Sequence, residues 1–271
     1  MEIIAKISRG TKMDQIYIPK QRAGFQNGRY VIIKPIEDEI KKPKQEKPIF
    51  YNIKSIEPIK IKLISEIFSI IEHETEEQFV DNLLIVGSFL EKGFYFNDID
   101  ILIIINKTEI KIDSIKKRIQ EETGITPHII QIKIEDLIKG VSSDPLYENM
   151  LSKYIAKKRL ILKYKRKINY KILDLHLLKS KSLIDNFEIL SGKEKYYLIK
   201  NMLAIDLFIK KEKISNEILN KQIKEIFKIE AERIKENLIA NKQEFIKKCR
   251  NFYNNISKQI QKGIKKENES K

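Results

Sequence analysis

Four residues have the types and spacing for phosphate and metal chemistry: Gly87 and Ser88, then, after nine intervening residues, Asp98 and Asp100. A glycine lets backbone approach a phosphate closely, and the adjacent N–H groups and hydroxyl donate to phosphate oxygens. Asp98 and Asp100 open the run 98–105, which is short, β-branched and bounded by turn-type residues, so it reads as a buried strand. Successive strand side chains point to opposite faces, which puts both carboxylates on one face and Ile99 and Ile101 on the other. Two like charges on an apolar strand are costly unless a cation holds them together, and hard oxygen donors suit Mg²⁺ or Mn²⁺. The four residues outline a triphosphate cradle facing a divalent metal.

The elements around them must bring the two pairs together. Residues 83–86 form a second short apolar run ending at Gly87, and apolar positions in 59–71 follow a helical period, predicting a helix packed on the sheet. Residues 109–123 read as a helix closed by Gly124, and Pro127 begins the next strand, 128–134. His128 heads that strand; a lone histidine without a spaced partner reads as a structural or substrate-edge residue. His73, amid glutamates, reads as a surface residue, and His176 as lying near a helical core.

Gly87-Ser88, the nine-residue spacer and Asp98-Ile-Asp100 within their apolar runs resemble the signature of the polymerase-beta-type nucleotidyltransferase superfamily, especially its minimal branch, over about residues 58–134. The resemblance implies that Asp98 and Asp100 are the catalytic metal ligands, and that Gly87 and Ser88 hold the β- and γ-phosphates of an NTP. It places Lys92 where the loop commonly has a phosphate-binding arginine. It also implies a third carboxylate on a later strand, yet 128–134 contains no acid. Gln131 and Lys133 mark the polar face of that strand, and Glu135, next on the same parity, is the only acid offered for the third position. Two readings therefore stand side by side: a metal-dependent transferase moving NMP onto an acceptor hydroxyl, and a non-catalytic nucleotide- or nucleic-acid-binding regulator on a degraded core.

Charge bears on the partner. The formal net charge is +15. After residue 150 there are 31 Lys and Arg against 14 Asp and Glu, and before it 22 against 24, so all the excess lies in the second half. Such asymmetry suits a polyanion, most commonly nucleic acid. It is densest in Lys153, Lys157, Lys158, Arg159, Lys163, Lys165, Arg166, Lys167 and Lys171, with no acid between Glu148 and Asp174 and with Tyr154, Tyr164 and Tyr170 interleaved. Cations alternating with stackable rings fit a phosphate backbone with exposed bases, and RNA is the favoured partner.

The expected class is α+β: a nucleotidyltransferase-like mixed sheet with helices on one face, a small N-terminal β module and a helical C-terminal domain. Residues 1–36 form the β module. Its strings 16–20 (Ile-Tyr-Ile-Pro-Lys) and 28–33 (Gly-Arg-Tyr-Val-Ile-Ile) are similar to the swapped-hairpin modules of AbrB-type regulators, which implies a homodimer and DNA contact through Arg9, Lys12, Lys20 and Arg22. Residues 37–57 read as a linker, 58–140 as the transferase core and 141–265 as the helical domain, which carries a helix over 146–159 and ends in a frayed tail from 261. No apolar run approaches the ~20 residues of a membrane span, and the start lacks a signal-peptide layout, so a cytoplasmic protein is expected. Cys249 is the single cysteine and is assigned no role.

Overall fold

The computed structural model describes residues 7–8, 11, 15–16, 47–94, 96–106 and 109–269. The chain divides into two compact units, Met1–Gln45 and Glu46–Lys271. In the first, β1 (Ile7–Ser8) and β2 (Gln15–Ile16) pair antiparallel, with Ile7 opposite Ile16. The remainder of the AbrB-like strings, and the four cations assigned to DNA contact, fall outside the described residues.

The second unit is mixed α+β. Its sheet has the order β3 (Ile49–Tyr51), β7 (Tyr154–Ala156), β4 (Val80–Val86), β5 (Asp98–Ile105), β6 (Thr126–Lys133). All neighbours are antiparallel except β5 and β6, which run parallel, as a strand–helix–strand crossover requires. Helices lie on both faces, not on one. α1 (Pro58–Glu74) and α2 (Ile112–Thr123) pack Ile64, Ile67, Ile115 and Ile119 on the face carrying Ile99, Ile101 and Ile103. α3 (Ile134–Ser143) packs Leu137 and Val141, and α4 (Pro145–Met150) Tyr147 and Met150, on the face carrying Leu84, Leu102 and Ile104. The apolar runs of β4 and β5 are apolar on both sides because both sides are covered. Each such side chain contributes about 1.5–3 kcal/mol by leaving water.

Two strands come from outside the expected core. β3 lies in the stretch read as a linker; its residues are all exposed, as suits an edge, and Tyr51 stacks on Tyr154 with ring centroids 4.7 Å apart. β7 lies in the stretch read as the helix 146–159. That helix stops at Met150, and Tyr154, Ile155 and Ala156 are buried between β3 and β4. Three residues of aromatic and β-branched character are too few to show a period, and tertiary pairing decides their state.

The remaining helices are α5 (Tyr170–Asp185), α6 (Gly192–Ile209), α7 (Asn216–Phe227), α8 (Ala231–Lys235) and α9 (Lys242–Glu269). α6 begins with a Ser191–Glu194 capping box, and residues 201–208 are buried without interruption, so it is the spine of this bundle. The expected frayed tail is instead the end of α9. Ile260 and Gly263 are buried there, and a Cβ on Gly263 would overlap the ring of Tyr170. Among the described residues, no helix is long and apolar enough to cross a membrane.

Candidate functional site

β4 ends at Val86, directly opposite Asp100 in the register, so Gly87 leaves the sheet where Asp98 and Asp100 enter it. The two halves of the motif meet at one end of one pair of strands. Gly87 has φ +78° and ψ −158°, a conformation open to glycine alone. The space is as exacting as the dihedral: a Cβ at Gly87 would lie 3.0 Å from Cγ of Asp100 and inside contact distance of its Oδ2. The glycine is there to let the carboxylate lie against the backbone. Ser88 follows, exposed, at the start of a short 3₁₀ turn, and Lys92 is exposed on the loop.

Asp98 and Asp100 share a sheet face, as alternation predicts, because Ile99, Ile101 and Ile103 all belong to the opposite core. Asp98 is exposed and Asp100 about one-third so, since α3 and α4 cover the further part of this face and leave its end open. Opposite Asp100 on β6 stands His128, with Nδ1 3.0 Å from Asp100 Oδ1. Oδ1 of Asp100 thus meets an imidazole, while Oδ2 lies on the side of Gly87. Among the described residues, no three His, Cys, Asp or Glu side chains are gathered as a metal cage. Two carboxylates at an open strand end instead match cations held by one or two acids together with substrate phosphates.

Glu135 is not brought to this site. The register sets Asp98 against Thr126 and Asp100 against His128, so residues 126, 128 and 130 share the carboxylate face, while Gln131 turns the other way to exchange hydrogen bonds with Ile110. β6 runs from His128 away from the motif to Lys133, roughly 16 Å at 3.3 Å per residue, and Glu135 lies beyond it in the first turn of α3. The expected parity was wrong because it was counted from the strand's polar residues, not from its pairing with β5.

The loop between the two motif halves is clamped by residues with no sequence signature. Lys60 of α1 is fully buried; its Nζ lies 5.4–5.5 Å from the ring centroids of Phe89, Phe94 and Phe96 and donates to the Glu91 carbonyl at 2.6 Å. Its ammonium pairs with Glu57 Oε2 at 3.1 Å, while Glu57 Oε1 accepts the Gly93 N–H at 2.6 Å. That N–H, more than any other group, holds the Glu57 carboxyl down at about 2 against the opposing effect of burial. In the same loop the Glu91 carboxylate meets Lys153, just before β7, at 3.6 Å and accepts from Asn216 Nδ2 of α7 at 3.4 Å. Close by, Lys200 Nζ donates to Asn216 Oδ1 at 2.6 Å, and burial, helped by Lys235, pulls this amine down to about 8.

The basic segment is not a single solvated groove. Lys153 pairs with Glu91, Lys157 with Glu72, and Arg166 with Glu148, its Nε donating at 2.7 Å while the guanidinium lies 5.3 Å from the Phe208 centroid. The acids missing locally are supplied by distant elements. Lys158, Arg159, Lys163, Lys165 and Lys167 are exposed along a stretch that is neither helix nor strand between β7 and α5, and Lys171 is exposed in the first turn of α5. Tyr154 is core and stacked in the sheet, whereas Tyr164 is exposed. At the opposite end of β4 from Gly87, a separate cavity of about 230 Å³ is lined by Glu72, Asp81, Asn82, Lys157 and Lys158. His176, expected near the core, bonds through Nε2 to Asp144 Oδ2 at 3.0 Å, and Asp144 in turn caps α4. Cys249 is fully buried in α9, and burial pushes its thiol up to about 12.

Compared with known proteins, the chain matches no family model, no curated protein and no solved structure.

Proposed function

We propose that the chain is a divalent-metal-dependent nucleotidyltransferase that moves NMP from an NTP to an acceptor hydroxyl, with pyrophosphate leaving. The observation that carries this reading is the packing of Gly87 against Asp100. A glycine-only backbone, a serine and two same-face carboxylates meet at the open end of two adjacent strands. In this reading the Gly87–Ser88 backbone N–H groups and the Ser88 hydroxyl bind the β- and γ-phosphates, and Lys92 adds a mobile positive charge. Asp98 and Asp100 hold Mg²⁺ or Mn²⁺, and the ion neutralises charge on the transferring group. RNA is the favoured acceptor, because Lys158, Arg159, Lys163, Lys165 and Lys167 lie exposed on one stretch that starts from the sheet.

A second reading rests on a specific observation: β6 offers no carboxylate opposite Asp98 or Asp100. On that reading the chain binds nucleotide or nucleic acid without transfer. One experiment separates the two: the protein and its Asp98→Ala/Asp100→Ala variant are each incubated with α-labelled NTPs, Mg²⁺ or Mn²⁺ and cellular RNA. Label transferred by wild type and lost in the variant is the expected outcome. No transfer by either, with salt-sensitive RNA binding retained by both, supports the regulator; transfer undiminished in the variant refutes the site.

A further inference from the structure

Lys200 is a partly buried ammonium with no acid of its own. It has three protons to donate, yet its hydrogen bond among the described residues goes to a neutral amide, Asn216 Oδ1 at 2.6 Å, and no carboxylate is paired with it there. A second ammonium stands nearby: Lys200 Nζ lies 5.2 Å and Lys235 Nζ 4.6 Å from the centroid of the Tyr196 ring. Lys235 has Glu232 at 2.8 Å, but its charge still acts against that of Lys200, adding to the effect of burial. A cation held out of water without a counter-charge costs stability. Folds depart from such rules chiefly where they bind or react.

The nearest negative charge is a poor match for this amine. The hydrogen bond from Lys200 turns the Asn216 carboxamide so that its Nδ2 faces Glu91. The Glu91 carboxylate then lies 3.4 Å from Asn216 Nδ2 and 3.6 Å from Lys153 Nζ, both longer than the about 2.7–2.9 Å of a charge-assisted hydrogen bond. Its side chain is 52% exposed, while its backbone carbonyl is fixed by Lys60. Turning the side chain out to water therefore leaves the loop in place and forfeits little. What remains is a donor set of two amines and one amide N–H.

We propose that Lys153, Asn216 and Lys200 form a phosphate site, taking inorganic phosphate or a terminal phosphate monoester, and that Glu91 competes with the ligand for it. A phosphate monoester carries about −1.5 to −2 charge at pH 7 and three strong acceptor oxygens, against one charge and two oxygens on the carboxylate, so it can accept from all three donors. Glu91 lies three residues after Ser88, which keeps their Cα atoms within about 11 Å. The phosphate therefore sits on the loop that begins with Gly87 and Ser88, where the 5′ end of a bound RNA would meet it. The inference depends on neither Asp98 nor Asp100, and it stands or falls apart from the transfer reaction.

The test is calorimetric titration of the full chain in metal-free buffer with inorganic phosphate, then with a short single-stranded RNA bearing either a 5′-phosphate or a 5′-hydroxyl. Wild type should bind phosphate; Lys200→Met and Lys153→Met should each weaken binding at least tenfold, and Glu91→Gln should tighten it at least threefold. Lys200→Met removes a charge that burial disfavours, so thermal unfolding should show it intact and its loss of binding is not a loss of fold. Asp98→Ala/Asp100→Ala should bind phosphate within twofold of wild type. Tighter binding of the 5′-phosphorylated RNA, abolished in Lys200→Met, names an RNA end as the source of the phosphate; equal binding of the two RNAs, with inorganic phosphate still bound through Lys200, names the free ion. No phosphate binding by wild type, undiminished binding in Lys200→Met, or a Glu91→Gln protein that binds no tighter overturns the inference.

Discussion

Replacing Glu57 by Gln tests the clamp on the loop between Gly87 and Asp98. The substitution keeps the shape, removes the charge facing Lys60 and weakens acceptance of the Gly93 N–H. The carboxyl lies at about 2 against an ordinary 4.5, and at 1.36 kcal/mol per pH unit this sets a ceiling of about 3 kcal/mol. A quarter of the side chain is open to water, and screening reduces the contribution to roughly 1–2 kcal/mol. The sign follows from linkage: a carboxyl depressed in the folded state stabilises fully above its unfolded value and progressively less as pH falls toward the folded value. Wild type should therefore lose stability between pH 6 and pH 3 through this group, and Glu57→Gln should lack that component while being less stable at pH 7. Urea unfolding at both pH values measures the difference, and hydrogen exchange of the Gly93 amide, faster in the variant, localises it. Coincident pH dependence of the two proteins, with an unchanged Gly93 amide, would refute the clamp.

Gly87→Ala should destabilise by about 1–3 kcal/mol, because the added methyl meets Asp100 in a backbone conformation that alanine resists; thermal unfolding within 0.5 kcal/mol of wild type would contradict the packing described. Lys200→Met should raise stability at pH 7 by about 1 kcal/mol, since burial disfavours the ammonium. A lysine whose folded value lies below its unfolded one costs stability at low pH and regains it as pH rises from about 8 toward 10.5, so the advantage of methionine should shrink in urea titrations at pH 9 and above.

The two halves of the motif were legible because β4 and β5 are long enough to show their character, and Asp98-Ile-Asp100 states its own geometry by alternation. The C-terminal domain was legible as helical, not helix by helix. What escaped the sequence was pairing. β3 and β7 have three residues each and acquire their identity only by lying against each other and β4. The place of His128 is a property of the β5–β6 register, and the same register removes Glu135 from consideration. The stretch after Glu148 looked uncompensated because acids were sought nearby in the chain, whereas Glu72, Glu91 and Glu148 reach Lys157, Lys153 and Arg166 across the fold. Lys60 illustrates the same limit: a lysine in an amphipathic helix reads as solvated, and only the three phenylalanines around it show why it is buried.

The position of β7 has a consequence for biosynthesis. Four of the five strands leave the ribosome by residue 133, yet β3 pairs only with β7, and β7 also covers the outer edge of β4. Until residues 154–156 emerge, Leu84 and Ile85 present an open apolar edge of the kind that recruits other chains. Since Tyr154–Ala156 is followed at once by the cation-rich stretch, the strand that closes the sheet arrives with charges that oppose such association. The sheet that carries Gly87, Asp98 and Asp100 therefore gains its last strand only as that cation-rich stretch is made.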